Sequence, residues 1–149
     1  MEVKKVLCAV DLEDTIAPSV EYAKMMASMT GASILVAYVI PAHTPYEDVY
    51  LSVNNQPNEV NNPNETIQKS MNDLLAEQFA GMDATGVILV GRPSEELVKL
   101  AEEKGANLIV MGTHGRAGFD RLLFGSVAHE VVRAAPCPVM TVRPLMPKK

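Results

Sequence analysis

Short and nearly uninterrupted apolar runs alternate along this chain with stretches of helical periodicity, and no other feature constrains the fold as tightly. The runs are Val3 to Val10, broken by Lys4 and Lys5, then Ser33 to Ile40, Gly86 to Val90, Asn107 to Met111 and Pro138 to Val142. A strand reads this way when helices cover both of its faces, as in a parallel sheet. Helical spacing fills the intervals. Asp14 and Thr15 offer caps for a helix through Tyr22, Met25, Met26 and Met29 that Gly31 closes, with the three methionines expected as core filler. A second helix is expected from about Asn64 to Phe79. A third runs from Pro93 to Lys104, with Ser94, Glu95 and Glu96 in its first turn and Gly105 at its end, and a fourth from Ser126 to Ala134.

The order β-α-β-α-β-α-β-loop-α-β predicts an α/β fold: a single-domain, open, five-stranded parallel sheet with helices on both faces, joined by right-handed crossovers. A chain of 149 residues is long enough for one core, burying roughly 70% of the unfolded surface. The expected domain spans residues 1–144, followed by a mobile tail at 145–149. Within it, residues 41–63 hold four prolines and five asparagines. That stretch is too long for an ordinary connection and reads as a lid or a loose excursion.

Charge narrows the function classes. With 13 basic against 18 acidic side chains the chain has no general attraction to nucleic acid. No apolar stretch approaches the roughly 20 residues that a bilayer span requires. The apolar run at the amino terminus ends early, in Asp11, unlike a signal peptide, so a cytoplasmic protein with no nucleic-acid or membrane partner is expected. Cys8 and Cys137 show no metal-binding spacing and are expected as packed thiols; no metal ligand set is read from the chain.

Ligands of such sheets bind beyond the carboxyl ends of the strands, where the strand order reverses. Two features fall on that edge: Asp11, directly after the first strand, and the loop from Gly112 through Thr113, His114, Gly115 and Arg116 to Gly125 and Ser126 after the fourth. Glycines let the backbone approach an anion without a Cβ in the way, and a helix beginning near Gly125 would add free amides and the positive end of its dipole. No Lys-Ser or Lys-Thr pair follows Gly125, so the loop is not a Walker A sequence, and the spacing of Gly112, Gly115 and Gly118 is not the dinucleotide fingerprint.

The spacing Gly112-x2-Gly115-x9-Gly125-Ser126 resembles the ATP-binding signature of the universal stress protein family. The resemblance extends over nearly the whole chain: the opening Lys4-Lys-Val-Leu-Cys-Ala-Val-Asp11, the segment Ile34 to Ile40, Gly91-Arg-Pro93, Ala106 to Thr113, and Ala135-Pro-Cys-Pro-Val139. It implies a five-stranded, Rossmann-like domain of the adenine nucleotide alpha hydrolase type. It also implies a homodimer, formed through the last strand at 138–142, and ATP along the carboxyl edge of the sheet, with magnesium or manganese as an option.

Carried over by position, the resemblance puts Asp11 beside the ribose and phosphates and Ala9 and Val39 beside the adenine. The backbone at Met111, Gly112, Thr113, His114, Gly115 and Arg116, and at Gly125, Ser126 and Val127, would hold the phosphates, with the Ser126 hydroxyl donating to one of them. The alternative for Asp11 is a cap on the first helix. His114 and Arg116 read equally well as phosphate contacts and as a solvated loop face, while His43 and His129 read as loop and helix surface.

Where the family commonly has a small residue and a serine after the aspartate, this chain has Leu12 and Glu13. A second carboxylate repels polyphosphate unless a divalent ion intervenes. The expectation is weak or metal-dependent ATP binding, and calorimetry giving equal affinity with and without magnesium would count against it. No spacing links a nucleophile to a base, so no catalytic residue is assigned. A regulatory, stress-response nucleotide-binding module is favoured over a slow metal-dependent ATP hydrolase and over a nucleotide-free dimerisation module.

Overall fold

The computed structural model describes residues 2–12, 17–41, 63–113 and 121–143, with the backbone course alone at 63–64 and 121–125. The elements are β1 (Lys5–Ala9), α1 (Pro18–Thr30), β2 (Ser33–Pro41), α2 (Pro63–Gln78), β3 (Ala84–Gly91), α3 (Pro93–Lys104), β4 (Leu108–Gly112), α4 (Arg121–Ala134) and β5 (Val139–Val142). All five strands are parallel, in the order β3-β2-β1-β4-β5. The chain therefore winds outward from β1 to β3, returns to the middle at β4, and the order reverses between β1 and β4.

Strand alternation divides the core into two layers. Val6, Cys8, Val10, Ile34, Val36 and Val110 pack with Val20 and Ala23 of α1 and with Met71 and Leu74 of α2. Leu7, Leu35, Ala37, Ile109 and Met111 face the opposite side, against Leu97 and Leu100 of α3 and Val127 and Val131 of α4. Leu7, Ile109 and Val131 are wholly enclosed, each contributing about 1.5–3 kcal/mol by burial. At Gly31 and Gly105 the chain turns out of α1 and α3 in the left-handed conformation, φ +75° and +67°, which glycine adopts without a Cβ clash.

Three local expectations change. Met25 and Met29 are not core filler: they are 45% and 74% exposed, and Met26 is only partly buried. The buried stripe of α1 is Ser19, Val20, Ala23 and Ala27, whose small side chains bring the helix close to the sheet and leave Met25 and Met29 on the far side, while Met26 packs against the edge of the core. The N-cap of α1 is Ala17, with no side-chain cap bond, and Pro18 opens the helix; Asp14 and Thr15 lie outside the described residues. Finally, α4 begins at Arg121 and not near Gly125. Arginine and leucine are good helix formers, and a helix runs through one glycine at a cost of about 1 kcal/mol.

Candidate functional site

The carboxyl edge of the sheet opens where the strand order reverses. The β1–β4 register runs from Val6 opposite Leu108 to Cys8 opposite Val110. Beyond that point each strand follows its outer neighbour. β1 stays with β2 through Ala9 opposite Ala37, and the Val10 amide donates to the Ala37 carbonyl at 2.9 Å. β4 stays with β5 through Gly112 opposite Val142, and the Thr113 amide donates to the Val142 carbonyl at 3.0 Å. Val10 and Asp11 thus form one lip of a crevice, and Gly112 and Thr113 the other.

Most of the described residues singled out in the sequence come to this edge. Asp11 and Thr113 are both partly buried at the strand ends. Ala9, Val39, Met111 and Val127 belong to the layer between the sheet and the α3–α4 pair. Met111 and Val127 are 1% and 8% exposed, so their side chains belong to the core. With its N-cap at Ala17, α1 does not use Asp11 as its cap. Ser126 is exposed on α4. Because α4 is already helical at Arg121, Gly125 and Ser126 lie within it and not at its start. Glu13, His114, Gly115, Arg116, His43 and the 41–63 lid beyond Pro41 and before Pro63 lie outside the described residues, as does the tail.

A polar cluster at the same edge has no counterpart in the sequence reading. Arg92 follows Gly91, the last residue of β3, and its Nη2 donates to Glu130 Oε1 at 2.7 Å. The Ser94 hydroxyl, 4% exposed in the first turn of α3, donates to the other oxygen, Glu130 Oε2. The bond from Ser94, aided by Arg92, holds the Glu130 carboxyl below the usual glutamate range. Arg92 also reaches Glu95 at 3.5 Å, a contact exposed enough to matter little. Residues 92 and 130 are 38 positions apart and belong to no motif, so only the packing of α3 on α4 reveals the pair. The signal in the sequence is the proline start of the helix at Pro93, which locates Ser94 without its partner.

Burial alone pushes the Cys8 thiol up to about 12, as befits a packed cysteine in β1, and raises that of Cys137 less strongly. Among the described residues no group of His, Cys, Asp and Glu is arranged to hold a metal ion, and no helix is long and apolar enough to cross a membrane.

The family model described as "Universal stress protein family" matches residues 2–143. A universal stress protein of Thermus aquaticus is 32% identical, the alignment covering 94% of this chain and 98% of that one. Universal stress protein MJ0577 of Methanocaldococcus jannaschii is 28% identical, covering 94% of each. The solved structure of MJ0577 superposes with a TM-score of 0.76 at 25% identity, over 99% of this chain and 100% of that one. A universal stress protein solved with cAMP has the same fold, with a TM-score of 0.68 at 23% identity over 96% and 98% of the two chains. So does one from Archaeoglobus fulgidus solved with dAMP, with a TM-score of 0.58 at 24% identity over 95% and 98%.

Proposed function

The chain belongs to the universal stress protein family, and on that premise we propose that it is an ATP-binding member, a stress-response module that acts as a homodimer. The observation that carries this reading is the parting of β1 from β4 beyond Cys8 and Val110, with Asp11 on one lip and Gly112 and Thr113 on the other. Gly112 opens the glycine spacing, so the loop leaves the sheet at the reversal of strand order, where open α/β sheets hold their ligands. Proteins of this fold have been solved with cAMP and with dAMP; at their identities they speak for the fold, and the ligand assignment rests on the glycine spacing of this chain.

In this reading the backbone from Met111 through Thr113, His114 and Gly115 to Arg116 wraps the phosphates. The first turns of α4 add free amides, Gly125 leaves their face without a Cβ, and Ser126 donates its hydroxyl. Asp11 accepts from ribose hydroxyls, and Ala9 and Val39 border the adenine. Magnesium or manganese on the phosphates would offset the charge of Asp11 and Glu13. The test is the double variant Gly115→Val with Gly125→Val. We expect ATP affinity to fall roughly a hundredfold, about 2.7 kcal/mol, in a protein whose circular dichroism is unchanged. Wild-type affinity in the folded variant would refute the cradle.

For the dimer, the support is the exposed edge of β5. The carbonyls of Pro138 and Val142 accept from Ile109 and Thr113, so alternation turns the backbone groups of Val139 and Thr141 away from β4. Among the described residues no strand pairs with this edge, and an edge of this kind is a template for a second copy. Thr141→Pro removes an outward amide and spares the inward ladder. We expect it to sediment as a monomer at concentrations where the wild type is a dimer; an unchanged dimer would reject this interface.

A further inference from the structure

The Arg92–Ser94–Glu130 cluster joins two parts of the carboxyl edge that the sheet itself does not join. Arg92 is the residue after β3, the outermost strand on one side, while α4 covers β4 and β5 on the other. Both oxygens of Glu130 are taken, one by Arg92 and one by Ser94, so the carboxylate is held in two directions from a single turn at the start of α3. Ser94 and Ser19 are the buried polar residues among those described, and the Ser94 hydroxyl is satisfied by Glu130. A buried hydroxyl aimed at one carboxylate specifies geometry, because any other placement of α4 leaves it without that partner.

Two further observations connect the cluster to the crevice. α4 packs on α3 as well as on the sheet, so its placement depends in part on α3. Glu130 also lies four residues after Ser126, one helical turn along the same side of α4. A shift or rotation at Glu130 is therefore transmitted directly to the Ser126 turn.

We propose that Arg92, Ser94 and Glu130 are positioning residues that set α4 against α3 and so hold the Ser126 turn at the crevice between β1 and β4. The consequence for affinity rests on the nucleotide reading above; the consequence for α4 does not. The net gain in global stability from such a half-exposed ion pair is small, so its effect is concentrated in α4. Arg92 does not touch the ligand in this scheme and acts through Glu130.

The experiment uses three variants of the full chain. Glu130→Gln keeps an oxygen for Ser94 but loses the charge that holds Arg92; Arg92→Ala removes the same bond from the other side; Arg92→Lys restores a cation. Hydrogen exchange on the ligand-free proteins should show the amides of Val127 to Val131 opening about tenfold faster in the first two variants, with those of β1 and β4 unchanged. Arg92→Lys should exchange like the wild type. ATP affinity by calorimetry should fall about tenfold in the first two and recover in the third, while urea midpoints stay within about 0.5 M of the wild type.

Unchanged exchange in α4 overturns the proposal, as does uniform acceleration across the sheet with a lowered midpoint, which is the mark of a merely structural pair. Faster exchange in α4 with undiminished ATP affinity also overturns it, because α4 would then be held without serving the site. If the wild type itself fails to bind ATP, the nucleotide reading falls, and exchange in α4 still decides whether the cluster positions the helix.

Discussion

The two ends of the sheet are finished in different ways. At the amino end, the Asn107 side-chain oxygen accepts from the amides of Lys4 and Lys5 at 2.8 and 3.0 Å, and the Asn107 amide returns a bond to the Lys5 carbonyl at 2.9 Å. Lys5 Nζ adds a bond to the Lys104 carbonyl, and the Ser33 amide one to the Lys4 carbonyl at 3.0 Å. β1, β2 and β4 are thus bound together before they begin. At the carboxyl end the described pairing of β1 with β4 stops at Cys8 and Val110, and among the described residues side chains of α3 and α4 meet there at Glu130. The difference teaches where adaptability can sit: bonds to the backbone tie three strands together at the amino end, while at the carboxyl end, the edge proposed for the ligand, the described link is a contact between two helices.

The strongest challenge to that contrast is the pair of glycine-to-valine changes at Gly115 and Gly125. They should cost the carboxyl end roughly a hundredfold in ATP affinity and leave the urea midpoint nearly unmoved. A large fall in stability would mean that the glycines serve the fold.

Asn107→Ala is the complementary change. It leaves the Lys4 and Lys5 amides without their acceptor and should lower stability by about 2 kcal/mol, with ATP affinity per folded molecule unaltered. Chemical denaturation and calorimetry on the same sample would measure both. A loss of affinity comparable to the loss of stability would erase the distinction between the two ends.

The smallest effect at neutral pH is expected midway between them, at Cys8. Its thiol is raised from 9.0 to about 12 by burial. Above pH 9 the unfolded chain gives up this proton while the folded chain keeps it, so stability falls with rising pH, by about 1.4 kcal/mol per unit. Below pH 9 both states hold the proton and the effect vanishes. Denaturation of the wild type and of Cys8→Ala at pH 8, 9 and 10 should show the steeper decline only in the wild type; parallel curves would mean that the middle of β1 is open to solvent.

Much of this architecture is legible in the sequence. The uninterrupted apolar segments of β2 and β4 mark strands buried on two faces, and Pro93 and Gly105 bound α3 as expected. Other features are not legible for identifiable reasons. The methionines of α1 have helical spacing, but spacing names no inward side; Ser19, Val20, Ala23 and Ala27 win that place because small residues let the helix lie close to the sheet. The early start of α4 depends on Arg121 to Phe124 continuing a helix through Gly125, a competition between propensities that a glycine motif conceals.

What the sequence determined by itself is the sheet with its two covered faces and the glycine spacing from Gly112 to Ser126 that begins at the carboxyl end of β4. These follow from local periodicity and from short-range chain geometry, which are properties of neighbouring residues. Tertiary structure alone decided how β1 parts from β4 beyond Cys8, which side of α1 faces the core, and that Arg92 and Ser94 meet Glu130. Each of those depends on side chains brought together from distant positions, and burial and hydrogen bonding select among arrangements that the linear pattern leaves equal.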